Sequence, residues 1–329
     1  MEATIGVIVT LYNKEKYIIR ALESIYRQTS YPDEVIIIND CSTDSSLEIV
    51  EKWIEKNNSN LHISIIDLEK NVGAAQARNL AIDASSSDYL LFLDADDQYE
   101  SNYINTLKNI VSIDDTIGMV ISRVEMESNN YLYPSNRIVN KIKECSYNGR
   151  DNIYAIESPY ELLASESLFV GGGNCCFSRK AMSTVRFNPK EKNFEEWNFY
   201  YRIMLNIISC KGNIIFNSNT SYIYNDLDQV SLSRKGILDH KDIRVPELVT
   251  ILNSQQEYGY RSLLISIWLY SSVSRLSLYF ERIKFIVSNF SVIRHSAFNR
   301  YFYGTILRLI IPMNSVEALK NKFKEKWYR

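Results

Sequence analysis

The stretch YLLFLDADDQYES (89–101) runs five apolar or aromatic residues straight into three carboxylates, Asp94, Asp96 and Asp97. In a tight turn alternate carboxylates converge on one point, and such oxygen donors suit a hard divalent cation that keeps open positions for phosphate. The plain alternative is a strand exit whose acids face water or cap a helix starting near Ser101. Neighbouring runs decide between the two. Thr10 and Tyr12 lie at the end of IGVIVT (5–10), and Asn39 and Asp40 at the end of EVIIIN (34–39), so several apolar runs end in polar groups.

Those ends meet on one edge if the runs are parallel strands. Four runs recur at similar spacing: IGVIVT, EVIIIN, HISIID (62–67) and YLLFLD (89–94). Each is apolar at successive positions, as expected for strands covered on both faces. Between them YIIRALESIYRQ (17–28), SSLEIVEKWIEK (45–56) and AAQARNLAIDAS (74–85) repeat apolar residues three and four apart, the period of a helix. The alternation predicts an α/β fold with a parallel sheet and right-handed crossovers. Ligands on such sheets bind beyond the carboxyl ends of the strands, where the acids stand.

Further along, the pattern predicts a strand in IGMVISRVEM (117–126), a polar loop over 128–153, and renewed order at GGGNCCFSRKAM (171–182) with Cys175 and Cys176 on a core strand. No histidine lies nearby in sequence to activate a thiol there. A helix is expected over FEEWNFYYRIMLNII (194–208), with Glu195 and Glu196 in its first turn, where acids also serve the helix dipole. Beyond about 238 only helical patterns remain, broken near Gly259, Asn289 and Pro312. The expected division is thus 1–238 and a helical, basic 239–329.

The 329 residues, 46% apolar and 23% charged, suffice for a substantial core. Formal net charge is −2, which gives no reason to expect nucleic acid as a partner. The distribution is uneven: residues 281–329 hold ten Lys and Arg against three Glu, a net of +7, which leaves −9 for the rest. Five cysteines at irregular spacing fit neither a zinc motif nor a disulfide framework and suggest a reducing, cytoplasmic compartment. The N-terminus reads as a first strand rather than a signal peptide. The best membrane-span candidate, LLISIWLYSSVSRLSLYF (263–280), is interrupted by Arg275 and five serines, and reads as a buried or surface-lying amphipathic helix.

Four segments in order, VIVTLYNKEKYIIRALESIYRQT, DEVIIINDCSTDSS, NVGAAQARN and YLLFLDADD, resemble the N-terminal half of family 2 glycosyltransferases of the GT-A fold. The resemblance covers about 3–100 closely and extends loosely to about 235. It implies a Rossmann-like, mostly parallel sheet flanked by helices, with the C-terminal helices as a subdomain. It also implies transfer of one sugar from a nucleotide donor, most simply a UDP-sugar, to a hydroxyl of a glycan or lipid-linked glycan, with inversion and with Mn²⁺ or Mg²⁺.

By that resemblance Thr10 and Tyr12 flank the nucleotide base, Asp40 accepts a hydrogen bond from it, and Arg78 lies near the nucleotide. Asp40 and Asp44 could otherwise cap the helix at 45–56. Asp94 would hold the ribose or the metal shell and Asp96 the metal, with Asp97 a weaker third candidate. Glu196, with Glu195 before it, matches the acid that takes the acceptor proton, although the family has Asp there; Trp197 follows. Gly171 to Gly173, together with Asn174, would let backbone approach the sugar or acceptor, unless that run is simply a flexible loop. Ser231, Ser233 and Arg234 in YNDLDQVSLSR (224–234) fit a segment that closes over the diphosphate; the family's histidine is absent, leaving Asp226 or Asp228 as substitute ligands.

Two other classes stay in view. A sugar nucleotidyltransferase would want a Gly-rich loop after the first strand, and LYNKEKY has no glycine. A non-catalytic nucleotide-sugar-binding scaffold would not need the intact acids. In the tail, RHSAFNRYFYGTILRLIIP (294–312) alternates aromatic and basic residues, which suits peripheral contact with anionic lipid. A solvated basic face or a homodimer interface are the competing readings.

Overall fold

The computed structural model describes residues 2–57, 61–143, 147, 149–166, 168–170, 172–191, 194–227, 246–252, 254, 255, 257–276, 279–295 and 305. Its first half alternates strand and helix: β1 (Ile5–Leu11), α1 (Ile18–Tyr26), β2 (Glu34–Asn39), α2 (Ser46–Asn57), β3 (Ile63–Asp67), α3 (Ala74–Ala84) and β4 (Tyr89–Asp94). The chain continues through β5 (Gln98–Tyr99), α4 (Tyr103–Val111), β6 (Ile117–Met126), β7 (Tyr131–Tyr133), α5 (Asn136–Ile142), β8 (Ile153–Ala155) and α6 (Pro159–Ser165). Then follow β9 (Cys175–Ser178), α7 (Arg179–Met182), α8 (Glu195–Ser209), β10 (Asn213–Tyr224), α9 (Glu247–Ile251), α10 (Tyr258–Arg275), α11 (Tyr279–Ser288) and α12 (Phe290–Ile293).

The sheet runs β3-β2-β1-β4-β9-β6-β10-β5, with β7 on β6 and β8 on β10. The first four strands are parallel, as their spacing predicts. β9 is antiparallel to both β4 and β6, and β10 is again parallel to β6. One reversed strand thus separates two parallel blocks. Its register, Leu91 opposite Cys176 and Tyr89 opposite Ser178, puts the residues that enter β9 at the carboxyl edge of β4.

Burial explains the apolar runs. β1, β2 and β4 are covered on both faces by α1, α3, α4 and their neighbours, whereas the edge strand β3 is only half-buried, less than its run predicts. Each fully buried Ile, Leu or Val side chain contributes about 1.5–3 kcal/mol, so burial holds these strands in place. Helix α8 seats closely on β6 because Gly118 has no side chain: a Cβ there would lie 2.5 Å from Ile207 Cγ1. The loop expected over 128–153 is corrected to β7, α5 and the start of β8. Apolar Ile138, Val139 and Ile142, three or four apart, are buried and give α5 its reason to form.

The chain forms two compact units, 1–158 with 167–228, and 159–166 with 229–329. The boundary expected at 238 lies outside the described residues, as does Pro312. In the second unit α10 packs on α6, where a Cβ on Gly259 would stand 2.7 Å from Ala164 Cβ. Gly259 falls in the first turn of α10 and Asn289 separates α11 from α12. The single helix expected over 263–280 is instead broken after Arg275, where buried Arg282 Nε donates to the Leu276 carbonyl at 2.8 Å and fixes the corner. Among the described residues no helix is long and apolar enough to cross a membrane.

Candidate active site

Thr10, at the end of β1, faces Asp94, at the end of β4, because the two residues are register partners in adjacent parallel strands. The Thr10 hydroxyl donates to Asp94 Oδ1 at 2.8 Å, and Arg78 Nη2 donates to the same oxygen at 2.7 Å. Burial works against the Asp94 charge, but the Arg78 guanidinium and these two hydrogen bonds hold its carboxyl below the ordinary carboxylate range. Arg78 is buried in α3 over the Phe187 ring, 5.4 Å from its centroid.

Asp40 sets where α3 begins. Its Oδ1 accepts from the Val72 N–H at 2.6 Å and its Oδ2 from the Gly73 N–H at 2.9 Å. Gly73 takes φ 85°, which L side chains rarely adopt, as it turns into the helix. Asp40 therefore anchors α3, not the helix at 46–57; that role belongs to Asp44, which accepts from the Ser46 N–H at 3.0 Å. A carboxylate has about four acceptor positions, so Asp40 keeps capacity for a ligand. Tyr12, 38% exposed, offers a ring on the same edge.

The acidic turn sends its last two acids in opposite directions. Asp96 Oδ2 meets Lys14 Nζ at 2.6 Å, and its main-chain carbonyl accepts from Arg20 Nη2 at 2.8 Å. Arg20 also pairs with Glu127, which follows β6. Burial, and next the neighbouring Asp94 charge, raise the Asp96 carboxyl despite Lys14. Asp97 turns inward: it accepts from the Tyr222 hydroxyl and, at 2.8 Å, from the Asn225 N–H. Burial pushes its carboxyl well above the usual range, and both of its oxygens are engaged by protein donors.

Glu195 and Glu196 open α8 after Phe194, whose left-handed φ of 63° turns the helix start toward the edge. A bulky residue in that region is strained, a feature that collects at functional sites. Glu196 Oε1 lies 2.8 Å from Arg78 Nη2, so one nitrogen joins this acid to Asp94. Burial raises the Glu196 carboxyl to about 7, with Arg78 opposing and Asp94 and Glu195 adding. Glu195 is also raised, again first by burial. Trp197 is half-buried, edge-on to Phe194 with ring centroids 4.9 Å apart.

The members of the glycine run point different ways. Asn174 is fully buried; its Nδ2 donates to the Leu168 carbonyl at 2.9 Å and the Ser122 carbonyl at 3.2 Å, so it straps the loop instead of facing a sugar. A Cβ on Gly173 would lie 2.1 Å from Tyr222 Cε2, so that glycine makes room for the tyrosine holding Asp97. Gly172 is the one at the site: a Cβ there would stand 3.4 Å from both Arg78 Nη2 and Asp94 Oδ2. Tyr200 of α8 donates to the Gly172 carbonyl at 2.9 Å and ties that loop to the Glu196 helix. Cys175 and Cys176 are buried on β9 with thiols raised by burial, as a core strand requires.

Asp226 clasps Ser128, accepting from its N–H at 2.8 Å. Asp228, Ser231, Ser233 and Arg234 lie outside the described residues. Lys14, Arg20, Glu127 and Tyr222 were not singled out in the sequence. For Lys14 and Arg20 a signal existed, since the chain between a parallel strand and its helix, and the first turn of that helix, must lie at the carboxyl edge. For Tyr222 none existed, because its position depends on the pairing of β10.

The oxygen set fits a divalent cation that arrives with part of its own ligand shell. Asp94 and Asp96 lie close enough to repel one another, yet among the described residues no group of three or more His, Cys, Asp or Glu could hold an ion. A cation taking one or two carboxylates and completing its shell with phosphate and water suits that arrangement.

The sequence pattern of glycosyl transferase family 2 matches residues 6–186, more than half of the chain. Glycosyltransferase GlyG of Streptococcus pneumoniae is 34% identical over 136 residues, 40% of this chain and 44% of that protein. The poly(ribitol-phosphate) beta-N-acetylglucosaminyltransferase TarS of Staphylococcus aureus is 38% identical over 131 residues, 38% of this chain and 21% of its own. The teichoic acid poly(glycerol phosphate) polymerase of Staphylococcus epidermidis is 30% identical over 200 residues, 60% of this chain and 25% of its own. The chain thus spans less than half the length of each. Mannosyltransferase PcManGT of Pyrobaculum calidifontis, solved with GDP-Man and Mn²⁺, superposes with TM-score 0.55 over 99% of this chain and 89% of that one at 18% identity. S. aureus TarS solved with UDP-GlcNAc gives TM-score 0.52 over 98% and 77%, also at 18% identity, a level at which the likeness speaks for the fold. The matched region carries Thr10, Asp40, Arg78, Asp94 and Asp96 on the strands, turns and helix built above, and the chain belongs to glycosyl transferase family 2, with the GT-A fold.

Proposed function

We propose that this chain moves a single sugar from a nucleotide donor, most simply a UDP-sugar, to a hydroxyl of a glycan or lipid-linked glycan, with inversion. The observation that carries the reading is the Arg78 bridge, which sets Glu196 and Asp94 at 2.8 and 2.7 Å from one nitrogen. It joins an acid raised to about 7 to the carboxylate edge where a diphosphate would lie. Relatives named for poly(ribitol-phosphate) and teichoic acid chemistry direct the acceptor towards cell-wall polymers.

In this reading the Tyr12 ring stacks on the base and Asp40 accepts its N–H. Glu196, deprotonated, takes the proton of the acceptor hydroxyl while the oxygen attacks the anomeric carbon from the face opposite the diphosphate. The carbon–oxygen bond to the diphosphate breaks and the leaving group keeps the electron pair. Mn²⁺ or Mg²⁺ held by Asp96 and Asp94 would supply charge stabilisation to that leaving group. Arg78 orients Glu196, and the glycine at 172 leaves space beside Asp94 for the sugar. The test is a nucleoside-diphosphate release screen over a panel of nucleotide sugars, with Mn²⁺, Mg²⁺ or chelator. No release with any donor would favour a binding scaffold, and full release in chelator would remove the metal.

One surface favours a lipid-linked acceptor. In the second unit Ile283, Val287 and Phe290 are exposed at helical spacing, Val287 by 70% and Phe290 by 64%, beside exposed Lys284 and Arg294. Apolar anchors flanked by cations suit the surface of an anionic bilayer. Sedimentation with phosphatidylglycerol vesicles should fall when Val287 and Phe290 are both changed to Ser; unchanged binding would sink this part.

A further inference from the structure

We propose that Lys14 is a built-in cation of the donor site. It holds Asp96 until a nucleoside diphosphate arrives, then passes to the phosphates and leaves Asp96 to the metal. The inference rests on the donor reading above and adds a residue and an order of binding to it.

Lys14 follows β1 in a segment laced to the chain before α2. The Asn13 N–H donates to Ser42 Oγ at 3.1 Å, Asn13 Oδ1 accepts from the Thr43 N–H at 2.7 Å, and the Lys14 N–H donates to Ser46 Oγ at 2.8 Å. The Glu15 N–H donates to Asp44 Oδ2 at 3.2 Å, and Glu15 Oε2 accepts from the Ser45 N–H at 3.1 Å. Asn13 takes the left-handed φ of 52° that this crossing needs. The Lys14 carbonyl in turn accepts the N–H groups of Tyr17 and Ile18 at 2.9 and 3.0 Å, so its backbone is fixed on both sides.

Its partner is fixed as well. Arg20 grips the Asp96 carbonyl at 2.8 Å and is itself held by Glu127. The two side chains are 18% and 14% exposed, largely out of water but still open at the site. A charge-assisted contact of 2.6 Å between such groups is stronger than an ordinary surface ion pair. The ammonium rests 5.7 Å from the Tyr17 ring centroid, a second resting contact that a flexible lysine can keep while its tip moves.

A cation arriving alone finds Asp96 Oδ2 covered by Lys14 and Asp94 Oδ1 committed to Thr10 and Arg78. A diphosphate changes this, because it offers oxygens to both cations. Lys14 and the metal then share the phosphates instead of competing for one carboxylate.

The experiment measures two affinities on the full chain, UDP by calorimetry in chelator and Mn²⁺ by electron paramagnetic resonance without nucleotide. Wild type should bind UDP measurably in chelator and Mn²⁺ alone weakly. Lys14→Met, similar in length but uncharged, should lose about tenfold or more in metal-free UDP affinity, as expected for one charged hydrogen bond, and gain about tenfold for Mn²⁺ alone. Lys14→Arg should restore the UDP affinity and shows that loss of charge, not of fold, is responsible. Lys14→Met matching wild type in either affinity overturns the inference while leaving the donor reading intact. Wild type binding UDP neither with Mn²⁺ nor without it overturns both.

Discussion

The acidic turn after β4 has two sides built from different parts of the chain. On the outer side, Asp94 and Asp96 meet Thr10, Lys14, Arg20 and Arg78, all from the first parallel block and its helices. On the inner side, Asp97 meets Tyr222 and Asn225 of β10 and the turn after it, with Gly173 making room for the tyrosine. Outer acids face cations and stay accessible; the inner acid faces neutral donors and is sealed. Adjacent residues of one type therefore stand in opposite surroundings, and in the proposed reading the outer pair serves chemistry while the inner acid serves cohesion.

Substitutions break that contrast in measurable ways. Glu196→Gln should lower turnover by about 10² to 10⁴-fold, the usual worth of a general base, while UDP affinity measured by calorimetry stays near wild type. Asp96→Ala should cost about 10²-fold in turnover with little change in thermal midpoint, since it removes charge stabilisation from the outer side. Asp97→Ala should do the reverse. It orphans the Tyr222 hydroxyl and the Asn225 N–H at about 1–3 kcal/mol each in chemical denaturation, before any effect on rate. If the Asp96 and Asp97 variants prove alike in both readouts, the two-sided description fails.

The dependence on pH tests the outer side further. The Glu196 carboxyl is raised to about 7, first by burial, and in its proposed role as base it works deprotonated. Turnover should therefore climb with pH through about 7, falling about tenfold per unit well below it, and level off above. A profile flat between pH 5.5 and about 8 would take Glu196 out of the role. The smallest effects separate the neighbouring glycines. Gly173→Ala should destabilise by about 1–3 kcal/mol through overpacking on Tyr222. Gly172→Ala should leave stability nearly unchanged and raise the donor KM.

The outer side was legible because its parts are local. Thr10, Asp40, Arg78 and Asp94 stand at the ends of contiguous apolar runs or the starts of the helices between them, and parallel order alone brings them together. The inner side was not, for physical reasons. β5 is two residues long, and β9 is four residues reversed against both neighbours, so neither leaves a period to read. The run from Gly171 to Asn174 was expected near the sugar as a whole; the reversed strand turns Gly173 and Asn174 toward the core and leaves Gly172 at the edge, a split that spacing does not show. Asp97 was grouped with Asp96 because spacing cannot tell which carboxylate will meet Tyr222, a residue 125 positions away. The stretch 128–153 looked like loop because its strands are three residues each and α5 only seven.

The reversed strand also bears on how such a protein can be altered. β9 closes the gap between the two parallel blocks, and its bonds to β4 involve only Leu91, Leu90 and Tyr89, short of the residues that carry the acids. Residues ahead of Gly172 can therefore be exchanged without moving the register that sets Thr10 against Asp94. In the proposed reading that makes the approach to β9 a natural graft point, where specificity for the transferred sugar would be rewritten while the donor site is inherited intact.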